Sequence, residues 1–344
     1  MVLPSLRRRQ VLQLGALAGL GLLGGCRRQD PQLLASRGDL STAWGAALPR
    51  PWSLRLLDDP AAVVAALRPT PGQPADPRAA LLQLSDGWAT ALPASLLQPI
   101  GSAALQDRLT SWSAPLSRLF APPGSPRLAF PWSFSPWVLL LRNRPDLARR
   151  RAEGWDLLLD PSLAGQLVLP SSPRVTIALV DGDAERLARL RRSALAYDDR
   201  GALNLLLASD AQAAVLPLQR VIPLLRRDPR LAAILPASGS PLSWSLLLRP
   251  AGSDQVPPLE WLAEVLQPPL LPKLLAAGWV PPLPPATLQQ AARAFPPPLA
   301  ELLAPPAELL ARCHSLPPLV PGERQALQAL WDGAAPQGMA AAGR

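Results

Sequence analysis

The sequence predicts an α/β fold with its ligand contacts on loops at strand ends, and three observations carry that prediction. Short apolar runs of strand length alternate with helical stretches along most of the chain. Two of those runs, Ala80 to Leu84 and Gln166 to Leu169, open straight into polar loops, Ser85-Asp86-Gly87-Trp88 and Ser171-Ser172-Pro173. Open α/β sheets hold their ligands at such places. Finally, 49% of the 344 residues are hydrophobic, enough for the cores of one large or two medium domains.

The first residues predict export. Arg7-Arg8-Arg9 leads into an apolar run, Val11 to Gly25, that ends Leu23-Gly24-Gly25-Cys26. A basic segment, a short apolar segment and small residues before a cysteine make a lipoprotein-type secretion signal over residues 1–25. The run is shorter than the roughly 20 apolar residues of a membrane-spanning helix. Arg8-Arg9 with Val11-Leu12 is similar to a twin-arginine signal, and an ordinary basic segment fits nearly as well. The Leu-Gly-Gly-Cys tetrad resembles a lipobox, which implies lipidation of Cys26 and a periplasmic, membrane-anchored protein. Residues 27–50, polar and without sustained periodicity, read as its tether.

Composition excludes several classes. With Cys26 assigned to the anchor, Cys313 is the second of two cysteines and stands alone, so stability comes from packing. The net charge of +9 falls to about +6 without the three signal arginines, and the arginines are scattered, which argues against nucleic-acid binding. The one histidine, His314, adjoins Cys313 in an expected late helix, where neighbours project about 100° apart. No HExxH, GxSxG, CxxC or glycine-rich phosphate loop occurs. No catalytic residue, metal or cofactor is therefore expected.

In chain order, Trp52 to Leu57 reads as a strand, and Asp58-Asp59-Pro60 starts a helix through Leu67. After a Pro/Gly-rich loop, the strand Ala80 to Leu84 delivers Ser85, Asp86 and Trp88. Arg127 to Pro131 and Val138 to Arg142 read as two strands, separated by Trp132-Ser133-Phe134-Ser135-Pro136-Trp137, whose aromatics suit a cleft wall or a seam between lobes. Trp155-Asp156 opens a short helix, and Pro161 to Gly165 turns into the strand Gln166 to Leu169. Ser171 and Ser172, Pro173 at the first helical position and Arg174 make either a cradle for a small polar ligand or a well-capped helix. Asp183 caps a helix Ala184 to Tyr197. Strands at Ala213–Leu216, Ala233–Leu235 and Leu242–Arg249 follow, the last holding Trp244. The remainder reads as helices, with Pro306 to Cys313 and Glu323 to Trp331 among them, and a disordered tail, 333–344.

The order of these pieces resembles the spermidine/putrescine-type solute-binding proteins of ABC importers. The resemblance rests on Phe130-Pro131-Trp132, the strand through Arg142-Asn143, and Trp155-Asp156-Leu157-Leu158 with Asp160-Pro161 to Gly165-Gln166-Leu167-Val168-Leu169. Leu235-Pro236 to Gly239 ahead of a tryptophan-bearing strand agrees, as does Leu274 to Gly278-Trp279-Val280-Pro281. It covers residues 50–290 and lies in the order of several weak motifs. It implies a two-lobed, type II periplasmic-binding-protein fold with the solute cleft between lobes: residues 51–135 form the first part of lobe one, 136–244 lobe two, and 245–332 the second part of lobe one and C-terminal helices. Hinge crossings are implied near Trp132–Val138 and Ser243–Arg249. The implied partners are a small solute, permease subunits and the lipid anchor, with the protein a monomer.

The departures bear on the solute. Polyamine binders carry acids where this chain has Ser171 and Ser172, with Arg174 retained, and again just after the late tryptophan, where Ser245 and Leu246 follow Trp244. What survives is the aromatic set Trp88, Trp132 and Trp244, and one carboxylate, Asp86. Buried cations need paired charge. The expected solute is then neutral, zwitterionic or anionic, held by Ser85, Asp86, Trp88, Trp132, Ser171, Ser172, Arg174 and Trp244. Two other classes are kept open: a structural lipoprotein that has lost its ligand, and an exported hydrolase.

Overall fold

The computed structural model describes residues 30–67 and 76–336. The export signal, Cys26 and the last residues of the tail, 337–344, lie outside them. Eleven strands form one sheet: β1 (Gln32–Ser36), β2 (Ser53–Leu57), β3 (Ala79–Ser85), β4 (Leu97–Gln98), β5 (Ala129–Arg142), β6 (Leu167–Leu169), β7 (Ala194–Tyr197), β8 (Ala213–Pro217), β9 (Leu231–Ile234), β10 (Pro241–Pro250) and β11 (His314–Ser315). Their main order is β2-β1-β3-β10-β5-β8-β6-β7.

Long strand β5 divides this sheet into two lobes. Its first half pairs antiparallel with β10, as far as Pro136 opposite Leu242. Its second half pairs with β8, beginning at Trp137 opposite Pro217. The two prolines of this strand, Pro131 and Pro136, sit where they cost least. Register slips by one residue next to Pro131, and Pro136 marks the change of partner. β5 is therefore one continuous crossing strand, which corrects the reading of two strands and a loop.

On the first side β1 pairs parallel with both β2 and β3, and β3 runs antiparallel to β10. On the second side β6 pairs parallel with both β7 and β8. Strands buried on both faces read as continuous apolar runs. In β8, Ala213 and Val215 enter one core while Ala214 and Leu216 enter the other, the period of two expected of a pleated strand.

Three further stretches depart from the sequence reading. Residues 27–50 were expected to be a tether, yet Leu33, Leu34 and Ala35 of β1 are fully buried in the first lobe. In the helix Thr42–Ala46, Trp44 stacks on Trp261 at 4.1 Å between ring centroids. Each of these two indoles donates its N–H to the other's backbone carbonyl at 3.0 Å. A three-residue apolar run among polar neighbours is too short to stand out by periodicity. The helix after Asp183 ends at Ser193, and the next four residues are β7, because Ala194 turns to an extended backbone and pairs with β6. The helix expected to reach Cys313 ends at Leu310; His314 lies on β11, which pairs with β10.

The chain then returns to the second lobe. Leu327, Leu330 and Trp331 of the C-terminal helix Pro321–Gly333 pack on the second core. Arg191 lies over the Trp331 ring at 3.9 Å and donates to the Trp331 carbonyl oxygen, and Tyr197 meets that ring edge-on. This helix, expected among the C-terminal helices that follow the second part of the first lobe, packs on the second core.

Candidate functional site

Six parallel-strand ends meet at one cleft of about 730 Å³ between the lobes. β1 ends at Ser36 and leads to Arg37, Gly38 and Asp39; β2 leads to Asp58; β3 ends at Ser85, with Trp88 one turn on. From the other lobe, β6 leads to Ser171, β7 ends at Tyr197 and leads to Asp198, Asp199 and Arg200, and β8 ends at Pro217 before Gln219 and Arg220. The crossing strands supply Trp137, Ser243 and Ser245. Each polar loop sits where its strand stops because the sheet has no further backbone pairing there to satisfy.

The charges of this lining are of both signs. Arg37 and Asp58 form an exposed ion pair at 3.3 Å. Asp39, Asp198, Asp199, Arg200 and Arg220 make no ion pair among the described residues. Burial pushes the Asp39 carboxyl above its ordinary range, opposed by the positive charges of Arg200 and Arg220. Burial likewise lowers the Arg220 pKa against the pull of Asp199, Asp198 and Asp39. Two carboxylates are oriented by backbone: Asp198 accepts from the N–H groups of Arg200 and Gly201, both at 2.8 Å, and Asp199 accepts from Ser171 N–H at 3.0 Å and from its hydroxyl.

The second wall is positioned from the first lobe. Gln219 donates its N–H to Ser135 Oγ at 3.0 Å. The end of the helix Leu270–Ala276 comes in behind it through Gly278, at φ +86°, where a Cβ would lie 2.6 Å from the Gln219 carbonyl oxygen. Only glycine fits both the angle and the approach.

Of the eight residues expected at the site, three line the cleft: Ser85, Trp88 and Ser171. Trp132 and Trp244 do not. Both are fully buried in the first core: Trp132 between Trp44 and Trp279, Trp244 against Trp112 and Phe134 with its indole N–H donated to Ser315 Oγ at 2.9 Å. Asp86 sits behind the cleft surface. Its carboxylate accepts from Trp244 N–H at 3.3 Å, and burial raises its pKa to about 6. The expected cradle for a small polar ligand is already taken. Ser171 is committed to Asp199, and Arg174 donates to the Pro317 carbonyl in the C-terminal segment. Ser172 sits at the N-cap of the short helix Pro173–Ala178 and makes no capping bond with its side chain.

The residues missed follow strands that sequence reading misplaced. Arg37 and Asp39 were lost with β1, and Asp198 and Asp199 with β7, once a helix was carried through Tyr197. A usable signal existed in both: Leu-Leu-Ala-Ser before Arg-Gly-Asp, and Ala-Leu-Ala-Tyr before Asp-Asp-Arg, repeat the apolar-run-then-polar-loop pattern of Ser85 to Trp88. Among the described residues no group of three His, Cys, Asp or Glu side chains converges as a metal site requires.

No protein-family model matches this chain, and no curated protein sequence is significantly similar to it. Solved structures do match in fold. The spermidine/putrescine ABC transporter substrate-binding protein PotD of Streptococcus pneumoniae superposes with a TM-score of 0.67 at 11% identity, over 88% of this chain and 98% of that one. The chain has the type II periplasmic-binding-protein fold. The TpPotD lipoprotein of Treponema pallidum shares this fold, with a TM-score of 0.57 at 13% identity over 89% and 99% of the two chains. A periplasmic thiamin binding protein does so equally, at 0.57 and 16% over 90% and 98%. Proteins described by different solutes thus share one architecture, so the solute is a property of the cleft lining rather than of the fold.

Proposed function

We propose that this chain is the substrate-binding subunit of an ABC importer, capturing a small polar solute between its lobes without transforming it. The observation that carries this reading is the convergence of six strand ends, three from each lobe, on one cleft whose charges are largely unpaired. A solute touching both walls favours the closed form over the open one, and the closed form is what a permease recognises. The lining supplies carboxylates, guanidinium groups, hydroxyls and exposed aromatic faces, the means of holding a solute. In this reading residues 1–25 direct export, a lipid on Cys26 anchors the protein at the periplasmic side of a membrane, and it acts as a monomer.

The charge balance narrows the solute. Four lining carboxylates, Asp39, Asp58, Asp198 and Asp199, stand against three guanidinium groups, Arg37, Arg200 and Arg220. A polyamine, positive along its length, is drawn to the acids and repelled by the arginines. A zwitterion, or a single cation carrying neutral polar groups, satisfies both. The committed Ser171 and Arg174 argue against a free anion.

A thermal-shift panel tests the reading, with spermidine, putrescine, thiamin, amino acids and an amino sugar as probes. A probe at 100 times its Kd adds about 2.7 kcal/mol of stability. A rise in Tm with a zwitterion or mono-cation is the expected result; no shift with any probe favours a structural lipoprotein.

A further inference from the structure

Buried polar groups around the cleft divide into those with a hydrogen-bond partner and two lining atoms without one, Ser36 Oγ and Gln83 Oε1. Ser133 and Ser135 of β5 are almost fully buried, and each hydroxyl accepts a backbone N–H, from Val280 at 3.1 Å and Gln219 at 3.0 Å. Gln83 of β3 is only 1% exposed, lines the cleft, and its side-chain carbonyl has no hydrogen-bond partner. An amide oxygen left unpaired in a protein interior is costly, and natural chains retain such groups where something else completes them. Gln106 Oε1 and Gln166 Oε1 are also unpaired, but neither residue lines the cleft; Ser36 Oγ is unpaired and does line it, at the end of β1 next to the charged loop Arg37-Gly38-Asp39.

The neighbours of Gln83 in the cleft lining are neutral, with the Asp86 carboxylate behind them and held by Trp244 N–H. Ser85 lies two residues along the same strand, hence on the same face, and Ser245 pairs directly opposite Ser85, with Ser243 two residues from it. All four line the cleft, and all are in the sheet itself. The carboxylates and guanidinium groups lie beyond the strand ends, on loops and, for Arg220, on the helix Leu218–Leu225. The cleft therefore has a floor of amide and hydroxyl groups beneath a charged rim.

We infer that this floor is a subsite for a neutral hydrogen-bonding group of the solute, a hydroxyl or an amide, and that Gln83 is the residue that selects it. The inference rests on the capture reading above. A neutral group donates to the Gln83 carbonyl, accepts from its amide N–H or from a serine, and leaves nothing charged at depth. An ammonium at the same place has no lining carboxylate on the floor to offset its desolvation. The solute's charge then belongs at the rim, which fits one cation with a neutral polar body.

The test is calorimetric titration of the full-length protein with glucosamine, one ammonium on a body of hydroxyls, and with spermidine, for the unmutated chain, Gln83→Met and Gln83→Glu. Glucosamine is expected to bind the unmutated chain more tightly than spermidine and to lose at least about tenfold in affinity in Gln83→Met. Without solute, Gln83→Met is expected to raise Tm by about 2–4 °C, since the unpaired carbonyl is gone. Gln83→Glu is expected to shift preference towards spermidine, and it decides the matter if Gln83→Met does not fold. Tighter binding of spermidine to the unmutated chain, or glucosamine binding indifferent to residue 83, overturns the inference alone. Binding of neither probe to the unmutated chain overturns this inference, and the capture reading falls with it when no probe of the thermal-shift panel binds either.

Discussion

The two faces of the crossing strands do opposite jobs. On one face Trp132 and Phe134 of β5 and Trp244 of β10 belong to two groups of touching rings, Trp261-Trp44-Trp132-Trp279 and Trp112-Phe134-Trp244, with neighbouring centroids 4.1–5.8 Å apart. On the other, Ser133, Ser135, Ser243 and Ser245 meet across the same two strands, Ser133 opposite Ser245 and Ser135 opposite Ser243. Ser243 and Ser245 line the cleft while the Ser133 and Ser135 hydroxyls hold the backbone N–H groups of Val280 and Gln219, so the alternation places the aromatic groups one side chain's depth from the polar face. Close packing on the aromatic face resists deformation, while the opposite face of β10 gives Ser243 and Ser245 to the cleft.

This comparison predicts how substitutions divide. The largest effect belongs to the aromatic face. Trp132→Ala, or Trp44→Ala in the stretch that reads as a tether, is expected to cost about 3–5 kcal/mol in denaturant unfolding, as large buried aromatic truncations do. A loss below 1 kcal/mol for Trp44→Ala would return residues 42–46 to a loosely attached linker.

Next comes Asp86, tied to the Trp244 backbone between the two faces. Its folded pKa, about 6, lies above the usual carboxylate value of 3.8, so the neutral form is favoured by folding. Stability from this group is complete below pH 3.8 and is lost as pH rises through 6, about 3 kcal/mol at most from the two values. Arg174 nearby reduces that cost. Asp86→Asn keeps an acceptor for Trp244 N–H and removes the charge. The variant is expected to gain stability relative to the parent as pH is raised from 4 to 7, read from Tm at each pH. A constant difference across that range contradicts the burial of the carboxylate.

The smallest effect on stability belongs to the cleft face. Trp88 is 41% exposed, and Trp88→Ala is expected to change stability by about 1 kcal/mol or less while weakening the solute found in the thermal-shift panel by about tenfold. Equal losses in stability for Trp88→Ala and Trp132→Ala would erase the distinction between the faces.

The same alternation explains what was legible in the sequence. β2, β3, β6, β8 and β10 are apolar runs closed by polar or proline residues, and length and composition sufficed to find them. The order of weak motifs sufficed for the fold. The face of a tryptophan was not legible, because every residue of β5 up to Leu141 is buried. With no exposed position to set the phase, parity alone cannot say whether Trp132 or Trp137 meets the solute. Trp137 lines the cleft and Trp132 does not. The site's acids were hidden for another reason. Substitution of Ser171 and Ser172 for carboxylates looked like a loss of charge, but Asp199 arrives from the neighbouring strand end and bonds to Ser171. A deficit at one loop is visible in sequence; its compensation from a loop 28 residues away is a fact of strand order.

The most direct test of a shared cleft is amide hydrogen exchange with and without the tightest-binding probe of the thermal-shift panel. The account predicts that the probe slows exchange together in both lobes, at residues 36–39 and 85–90 of the first and at 171, 198–201 and 219–220 of the second, with the outer helix Leu259–Glu264 unchanged. Protection confined to one lobe, or centred on the apolar groove between Leu225 and Leu299, would contradict capture between the strand ends.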